Sequence, residues 1–371
     1  MKIGMFTDSY RPAMDGVVRN IDVYTNELRR LGHQVTIFAP STGRKNYVED
    51  GVYYFSAFKL RQYPSYRLAI YPSNFDRLVR DIGLDVVHSH GFASMGLRGK
   101  VVARKRKLPY LFTFHTMVPQ VFGHHFVEGF DPRFFEWLFW RYMRLFMRHI
   151  DVTIYPSDWA RRMASEGMGT GLGKSVILPT GVETDRYRPD DSVPKDSPLN
   201  ILHVGRVSQE KNIETAIDAF ARVRKEMEAT LTVVGDGPAL GFYKEYAKKK
   251  GVDVRFAGFV TEDQLIEWYR RSSMLILPSR FETQGIVPLE AMACGLPVLA
   301  FKHPAFFECW NEGDGGRFFD GEDDAVAKAT SILQDPKRFS QRARATAERF
   351  SIQKLALELV EVYKGAIDEP R

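Results

Sequence analysis

In this 371-residue chain the residues able to do chemistry concentrate in the run Pro278-Ser-Arg-Phe-Glu-Thr-Gln-Gly-Ile-Val-Pro-Leu-Glu-Ala-Met-Ala-Cys-Gly-Leu-Pro297. Proline is tolerated only in the first turn of a helix, and Gly295 followed by Pro297 is a strong stop, so a helix is predicted from about Ile286 to Cys294. Its N-terminus points the unpaired amides of Gly285, Ile286 and Val287 into the preceding loop, an anion site suited to a diphosphate. Glu282 lies in that loop and Glu290 lies inside the helix. A loop carboxylate can accept hydrogen bonds from sugar hydroxyls or face developing positive charge, while one inside the helix suits a ribose diol. A capped surface helix with two solvated glutamates would contain the same pair, but the Gly, Pro and small-residue surroundings do not resemble a solvated face.

Arg206 and Lys211 follow a predicted strand, and two fixed cations opposite a helix N-terminus would neutralise a departing diphosphate. Gly16 sits where the first predicted strand meets the first helix, and its missing Cβ would let a phosphate approach the helix amides. A structural turn glycine is the alternative there. The pattern is not Gly-x-Gly-x-x-Gly, which disfavours a dinucleotide cofactor. His115, in Thr113-Phe-His-Thr116, closes another predicted strand. His88 and His90 end a third; no clustered third ligand accompanies them, so wall or structural roles are expected rather than metal binding. No two aspartates stand two positions apart. A required metal is therefore not expected, and Mg is at most optional.

These residues need elements to position them. Lys2 to Thr7 reads as a strand, Val17 to Leu31 as a helix stopped by Gly32, and Val35 to Phe38 as a second strand, which makes a βαβ unit and implies a parallel sheet. The pattern repeats at 85–88, 110–114 and 151–155. A second series begins after a Pro-rich acidic stretch, with strands expected at 200–204, 230–234, 253–256, 274–277 and 297–301. The fold class is therefore α/β, with two doubly wound Rossmann-like domains facing a cleft and ligands at the carboxyl ends of their strands. The expected boundaries are 1–187 for the first domain, 188–198 for a linker and 199–351 for the second domain.

Composition limits the partners. With 44% hydrophobic and 26% charged residues the chain belongs with ordinary globular proteins, and its length favours two domains over one. Two cysteines are too few for a disulfide framework, no signal-peptide region precedes the first strand, and no apolar stretch is long enough to span a membrane. A cytoplasmic location is expected. The net charge of +6 is uneven: residues 1–198 hold 28 Lys and Arg against 20 Asp and Glu, and residues 199–371 hold 24 against 26. The basic excess can attract nucleic acid, an anionic membrane or a phosphorylated ligand, but no nucleic-acid-binding motif accompanies it. Residues 110–149 contain 13 of the 48 aromatics, and Arg133, Arg141, Arg144 and Arg148 fall on one side of a helical wheel. That helix can bury its apolar face and solvate the stripe, or help hold the domain at an anionic lipid surface. The segment from Lys59 to Arg67 adds a second basic and aromatic patch.

The Glu-x7-Glu pattern, with Val204-Gly-Arg-Val-Ser-Gln-Glu-Lys211, Val234-Gly-Asp-Gly-Pro238 and Leu178-Pro-Thr-Gly-Val-Glu183, resembles the retaining glycosyltransferases of family 4, which have the GT-B fold. The resemblance covers essentially the whole chain. It implies that Arg206, Lys211 and the amides after Gln284 hold the diphosphate of a nucleotide-sugar donor. It places His115 and Glu282 beside the transferred sugar with Thr283 and Gln284, Glu290 on the ribose, and Phe259 and Val260 at the base. Relatives often have two adjacent glycines where this chain has Asp15-Gly16. The last helix, from about 352, is expected to pack back on the first domain, as in relatives. Phe-His-Thr-Met and Glu-Thr-Gln-Gly, with the basic and aromatic patches, are similar to the branch that glucosylates diacylglycerol and related membrane lipids. UDP-glucose, a lipid acceptor and a peripheral position on the membrane follow as expectations, and the oligomeric state is left open. The same chemistry with GDP-mannose or a soluble or polyprenyl-linked acceptor, an epimerase or phosphorylase on the same fold, and a membrane-docked binding protein without turnover are the alternatives.

Overall fold

A computed structural model describes residues 1–13, 15–43, 45–59, 67–115, 132–169 and 173–369. The chain forms two compact units, Met1–Gly181 with Ile352–Arg371, and Val182–Ser351.

The first unit is built on an eight-stranded sheet from β1 (Lys2–Phe6), β2 (Gln34–Pro40), β3 (Tyr47–Glu49), β4 (Val52–Phe55), β7 (Val86–Ser89), β8 (Tyr110–Thr113), β9 (Val152–Tyr155) and β10 (Ser175–Ile177). Their order is β10-β9-β8-β7-β1-β2-β4-β3. All neighbours pair in parallel except β3 with β4. A small antiparallel pair, β5 (Ala57–Lys59) and β6 (Arg67–Ala69), stands apart. Strands β7, β8 and β9 are buried along their whole length, as interior parallel strands covered on both faces must be. Strand order reverses between β1 and β7, so the loops leaving their carboxyl ends diverge and leave room for a ligand.

The second unit is a six-stranded parallel sheet of β11 (Leu199–Val204), β12 (Ala229–Val234), β13 (Val254–Gly258), β14 (Met274–Leu277), β15 (Val298–Phe301) and β16 (Gly316–Phe319), in the order β13-β12-β11-β14-β15-β16. Its reversal falls between β11 and β14, the two strands that lead into Arg206 and Glu282. Helix Ile286–Ala293 follows β14, and its core face packs Leu289, Ala291 and Met292 into the apolar cluster with Trp310 and Tyr187.

The division between units falls six residues earlier than expected, and residues 188–198 do not run free. The polar stretch looked like a linker because it offers carbonyls and carboxylates rather than apolar side chains, and arginines of the second unit take those acceptors. Arg270 Nε donates to the Arg188 carbonyl at 2.9 Å and its Nη1 to Asp190 at 3.4 Å, and Arg271 Nε donates to Asp196 at 2.7 Å. Helix Ile352–Asp368 clusters with the first unit, where its Tyr363 is fully buried.

Candidate functional site

In the second unit, β11 runs into Gly205 and Arg206 and then into the short 3-10 turn Gln209–Lys211. Strand β14 runs into Pro278 and the loop holding Glu282. The two loops meet through an ion pair: Lys211 Nζ lies 2.6 Å from Glu282 Oε1, with both side chains mostly shielded from solvent. These residues are 71 positions apart, and they converge because their strands are neighbours at the sheet reversal. Lys211 has three donors, so it can keep Glu282 and still reach an anion. Arg206 is exposed.

Helix Ile286–Ala293 begins at Gly285, which has φ +88 and no capping side chain, and its first turn holds no acidic residue. The amides of Gly285, Ile286 and Val287 therefore face the loop without an internal carboxylate competing for them, and the helix dipole adds positive potential there. Thr283 and Gln284 complete the loop; Gln284 is buried and its carbonyl accepts from Cys309 Sγ at 3.8 Å. Only glycine fits at position 285. A Cβ there would lie 2.4 Å from Phe306 Cε1. Gly285→Ala is expected to cost about 2–4 kcal/mol, combining the left-handed backbone penalty with overpacking, and urea unfolding of the variant measures it.

Glu290 is buried and accepts a hydrogen bond from the Tyr269 hydroxyl at 3.2 Å. Tyr269 was not among the sequence-predicted residues, and burial pushes its hydroxyl well above the usual range. Phe259 stands just past β13 with 68% of its surface exposed, and Val260 beside it packs partly into the core. His303 was also missed. It caps the short helix Pro304–Phe307 by accepting from Ala305 N, and the charges of Glu282 and Lys211 both act on it.

The first unit has its own small recess at the carboxyl ends of β1, β7 and β8. Its polar lining includes Asp8, Ser9, His90, Thr113 and His115. Asp8 was not singled out in the sequence. Its carboxylate accepts from Ala93 N and Met95 N at 2.8 and 2.7 Å and from Ser94 Oγ at 3.3 Å, tying the end of β1 to the start of helix Ser94–Arg106. Gly91 permits this, since a Cβ there would lie 2.1 Å from Asp8 Oδ2. His115 is half-buried, and burial pushes its imidazole down to about 3, so it is neutral near pH 7.

Gly16 opens helix Gly16–Arg30 as expected, and a Cβ there would meet nothing within 4 Å. The amides beyond it are not free, however: Asp15 Oδ1 accepts from Val17 N and Val18 N, both at 3.0 Å. An anion approaching Gly16 therefore meets a carboxylate already seated on the helix N-terminus. The second helix start offers the better anion site.

Thr116, Phe122, Phe126, Phe130 and most of the patch from Lys59 to Arg67 lie outside the described residues. Among the described residues, no group of three or more His, Cys, Asp or Glu is placed to hold a metal ion, and no helix is long and apolar enough to cross a membrane. Both cysteines are buried and free.

Residues 185–349 match the family described as glycosyl transferases group 1, and residues 14–186 match Glycosyltransferase Family 4. The alpha-monoglucosyldiacylglycerol synthase of Streptococcus pneumoniae is 30% identical to this chain, over 99% of it and 86% of its own length. The chain belongs to the group 1 glycosyl transferases. The alpha-monoglucosyldiacylglycerol synthase of Acholeplasma laidlawii is 25% identical to this glycosyltransferase over 100% of the chain and 98% of its own length. Two solved structures share its fold. Sucrose-phosphate synthase of Thermosynechococcus elongatus superimposes with a TM-score of 0.78 at 18% identity, covering 98% of each chain. HepE of Anabaena, solved in complex with UDP-glucose, gives 0.75 at 17% identity, covering 98% of this chain and 100% of HepE. The glycosyltransferase therefore has the GT-B fold.

Proposed function

We propose that this glycosyltransferase moves glucose from UDP-glucose to a hydroxyl of a diacylglycerol-type lipid, with retention of anomeric configuration. The observation that carries the donor half is the Lys211–Glu282 pair beside an uncapped helix N-terminus. It sets a cation and three backbone amides where a diphosphate leaves, and a carboxylate where a sugar becomes electron-poor. Arg206, Lys211 and the amides of Gly285, Ile286 and Val287 take up the charge of the departing UDP as the bond from C1 to its phosphate oxygen breaks. Glu282, Thr283, Gln284 and His115 orient the sugar, Glu290 holds the ribose and Phe259 with Val260 borders the base. Gly16 gives way to the phosphates only with Asp15 displaced. The acceptor oxygen bonds to C1, and its proton departs with the UDP. Arg206 and Lys211 supply the positive charge that a metal ion supplies in other nucleotide-sugar enzymes, so magnesium is optional.

The lipid half rests on full-length similarity to two proteins named as synthases of monoglucosyldiacylglycerol and on one helix of the first unit. Helix Pro132–Phe146 buries Trp140, Met143 and Phe146, yet it also exposes Phe134, Trp137 at 56%, Leu138 and Leu145 at 60%. At 100° per residue these four fall on one face with Arg141, whose guanidinium lies 5.8 Å from the Trp137 ring centre. Of the two sequence-based options, a solvated basic stripe leaves this exposed apolar face unaccounted for. A face of aromatics flanked by arginine suits the boundary between headgroups and acyl chains, which supports a peripheral position on an anionic membrane. Replacing Phe134 and Trp137 together by serine is expected to weaken liposome binding at least about tenfold, since each aromatic inserted in the acyl boundary is worth roughly 1.5–3 kcal/mol. Sedimentation with phosphatidylglycerol-containing vesicles measures it, and unchanged binding would exclude this helix as the docking face. The transfer reading is tested by offering UDP-glucose, GDP-mannose and UDP-GlcNAc in turn with lipid and soluble acceptors.

A further inference from the structure

His90 and His115 leave neighbouring strands and meet edge to edge. Nδ1 of His90 lies 2.9 Å from Nε2 of His115, and the rings are inclined by only 20°. Burial lowers both imidazoles far below their usual range, so both rings are neutral and share one hydrogen across this contact. Two arrangements satisfy it. Either His115 donates from Nε2, which obliges His90 to carry its own proton on Nε2, or His90 donates from Nδ1, which obliges His115 to carry its proton on Nδ1.

The deciding atom is His90 Nε2, which is buried and has no hydrogen-bond partner among the described residues. A stranded buried N–H is rarer in folded proteins than an under-used acceptor. The second unit holds a parallel case. His203 Nδ1 faces the Ile276 carbonyl at 3.0 Å and must be the donor, which leaves its buried, unpartnered Nε2 as a bare lone pair.

We infer that His90 is a positioning residue that holds His115 in the Nδ1–H tautomer, so that His115 presents a hydrogen-bond donor to the transferred sugar. His90 is itself braced. The His88 ring lies 4.2 Å from it, centre to centre, and His88 is fixed at both nitrogens, by the Tyr363 hydroxyl and by Thr113 Oγ1, each at 2.7 Å. Tyr363 belongs to helix Ile352–Asp368, so the end of the chain supports the orientation of His115 through two intervening rings. A donor nitrogen selects for a lone pair on the sugar. The sugar contact rests on the function proposed above, whereas the tautomer does not.

Long-range proton–nitrogen spectra of the full chain, with histidine labelled by nitrogen-15 and His115 assigned through His115→Gln, read the tautomer directly. The expected result is a protonated Nδ1 and a bare Nε2 on His115. A protonated Nε2, or an averaged signal, would overturn the inference. Kinetics separate the second half. His90→Phe keeps the ring volume without a donor, and His90→Asn keeps a donor near the position of Nδ1. His90→Phe is expected to mix the His115 tautomers and lower kcat about tenfold or more, with KM for the donor little changed, and His90→Asn is expected to recover most of both. Equal loss in the two variants with the His115 signals unmoved would show a merely structural His90. A shifted tautomer with unchanged kcat would remove His115 from the sugar.

Discussion

Glu282→Gln is expected to lower kcat by about 10²-fold or more, the usual consequence of losing one preorganised electrostatic partner of a transition state. The amide keeps the shape of the side chain and a hydrogen-bonding oxygen, so what is removed is the negative charge. Two consequences of that loss point in opposite directions. The sugar loses the carboxylate that opposes its developing positive charge, which slows the chemical step. Lys211 loses the partner it holds at 2.6 Å, and its full charge becomes available to the diphosphate. The donor KM is therefore expected to stay level or fall while kcat drops, a pattern that marks a group acting in the transition state rather than in binding. The pair is mostly shielded from solvent, so the variant is expected to lose about 1–3 kcal/mol and to melt several degrees lower while remaining folded. Steady-state kinetics beside a melting curve decide it, and a kcat within threefold of the parent would take Glu282 out of the chemistry.

Lys211→Met carries the second large effect. It removes a cation from the leaving group and leaves Glu282 without its partner, so kcat/KM for the donor is expected to fall by about 10²–10³-fold. Arg206→Met acts on the same phosphates from an exposed position and is expected to cost less, about tenfold, because solvent screens its charge. The revealing variant combines Lys211→Met with Glu282→Gln. If the two side chains act as one unit, the double variant loses far less than the product of the single losses. Strict additivity would mean that the pair is incidental to turnover.

The fold was legible because it is repetitive. Interior strands such as β14, predicted at 274–277 and found at Met274–Leu277, announce themselves as short continuous apolar runs. The helix predicted from Ile286 ends one residue early, at Ala293. What escaped were the three-residue strands β3, β5, β6 and β10, too short for a period-two pattern to stand out, and the four-residue strands β4 and β16. At the site, residue types were visible and pairings were not. Lys211 and Glu282 each suggested a separate ligand, and only strand adjacency makes them partners. The two helix starts illustrate a further limit. Gly16 and Gly285 looked like equivalent phosphate seats, but Asp15 is a strong N-cap residue and caps its own helix, whereas position 284 offers a glutamine that turns inward. That distinction could have been drawn from the capping preference of aspartate alone. Asp8, Tyr269 and Tyr363 had no local signal, because each acts through a partner at least 21 residues away in sequence.

The most direct measurement follows transfer from UDP-glucose to diacylglycerol presented in phosphatidylglycerol-containing vesicles, with the product identified by mass spectrometry and its anomeric proton by NMR. The account predicts a monoglucosylated lipid in the α configuration, matching the donor. A β product, or glucose transferred only to soluble acceptors with the lipid left unchanged, would contradict it.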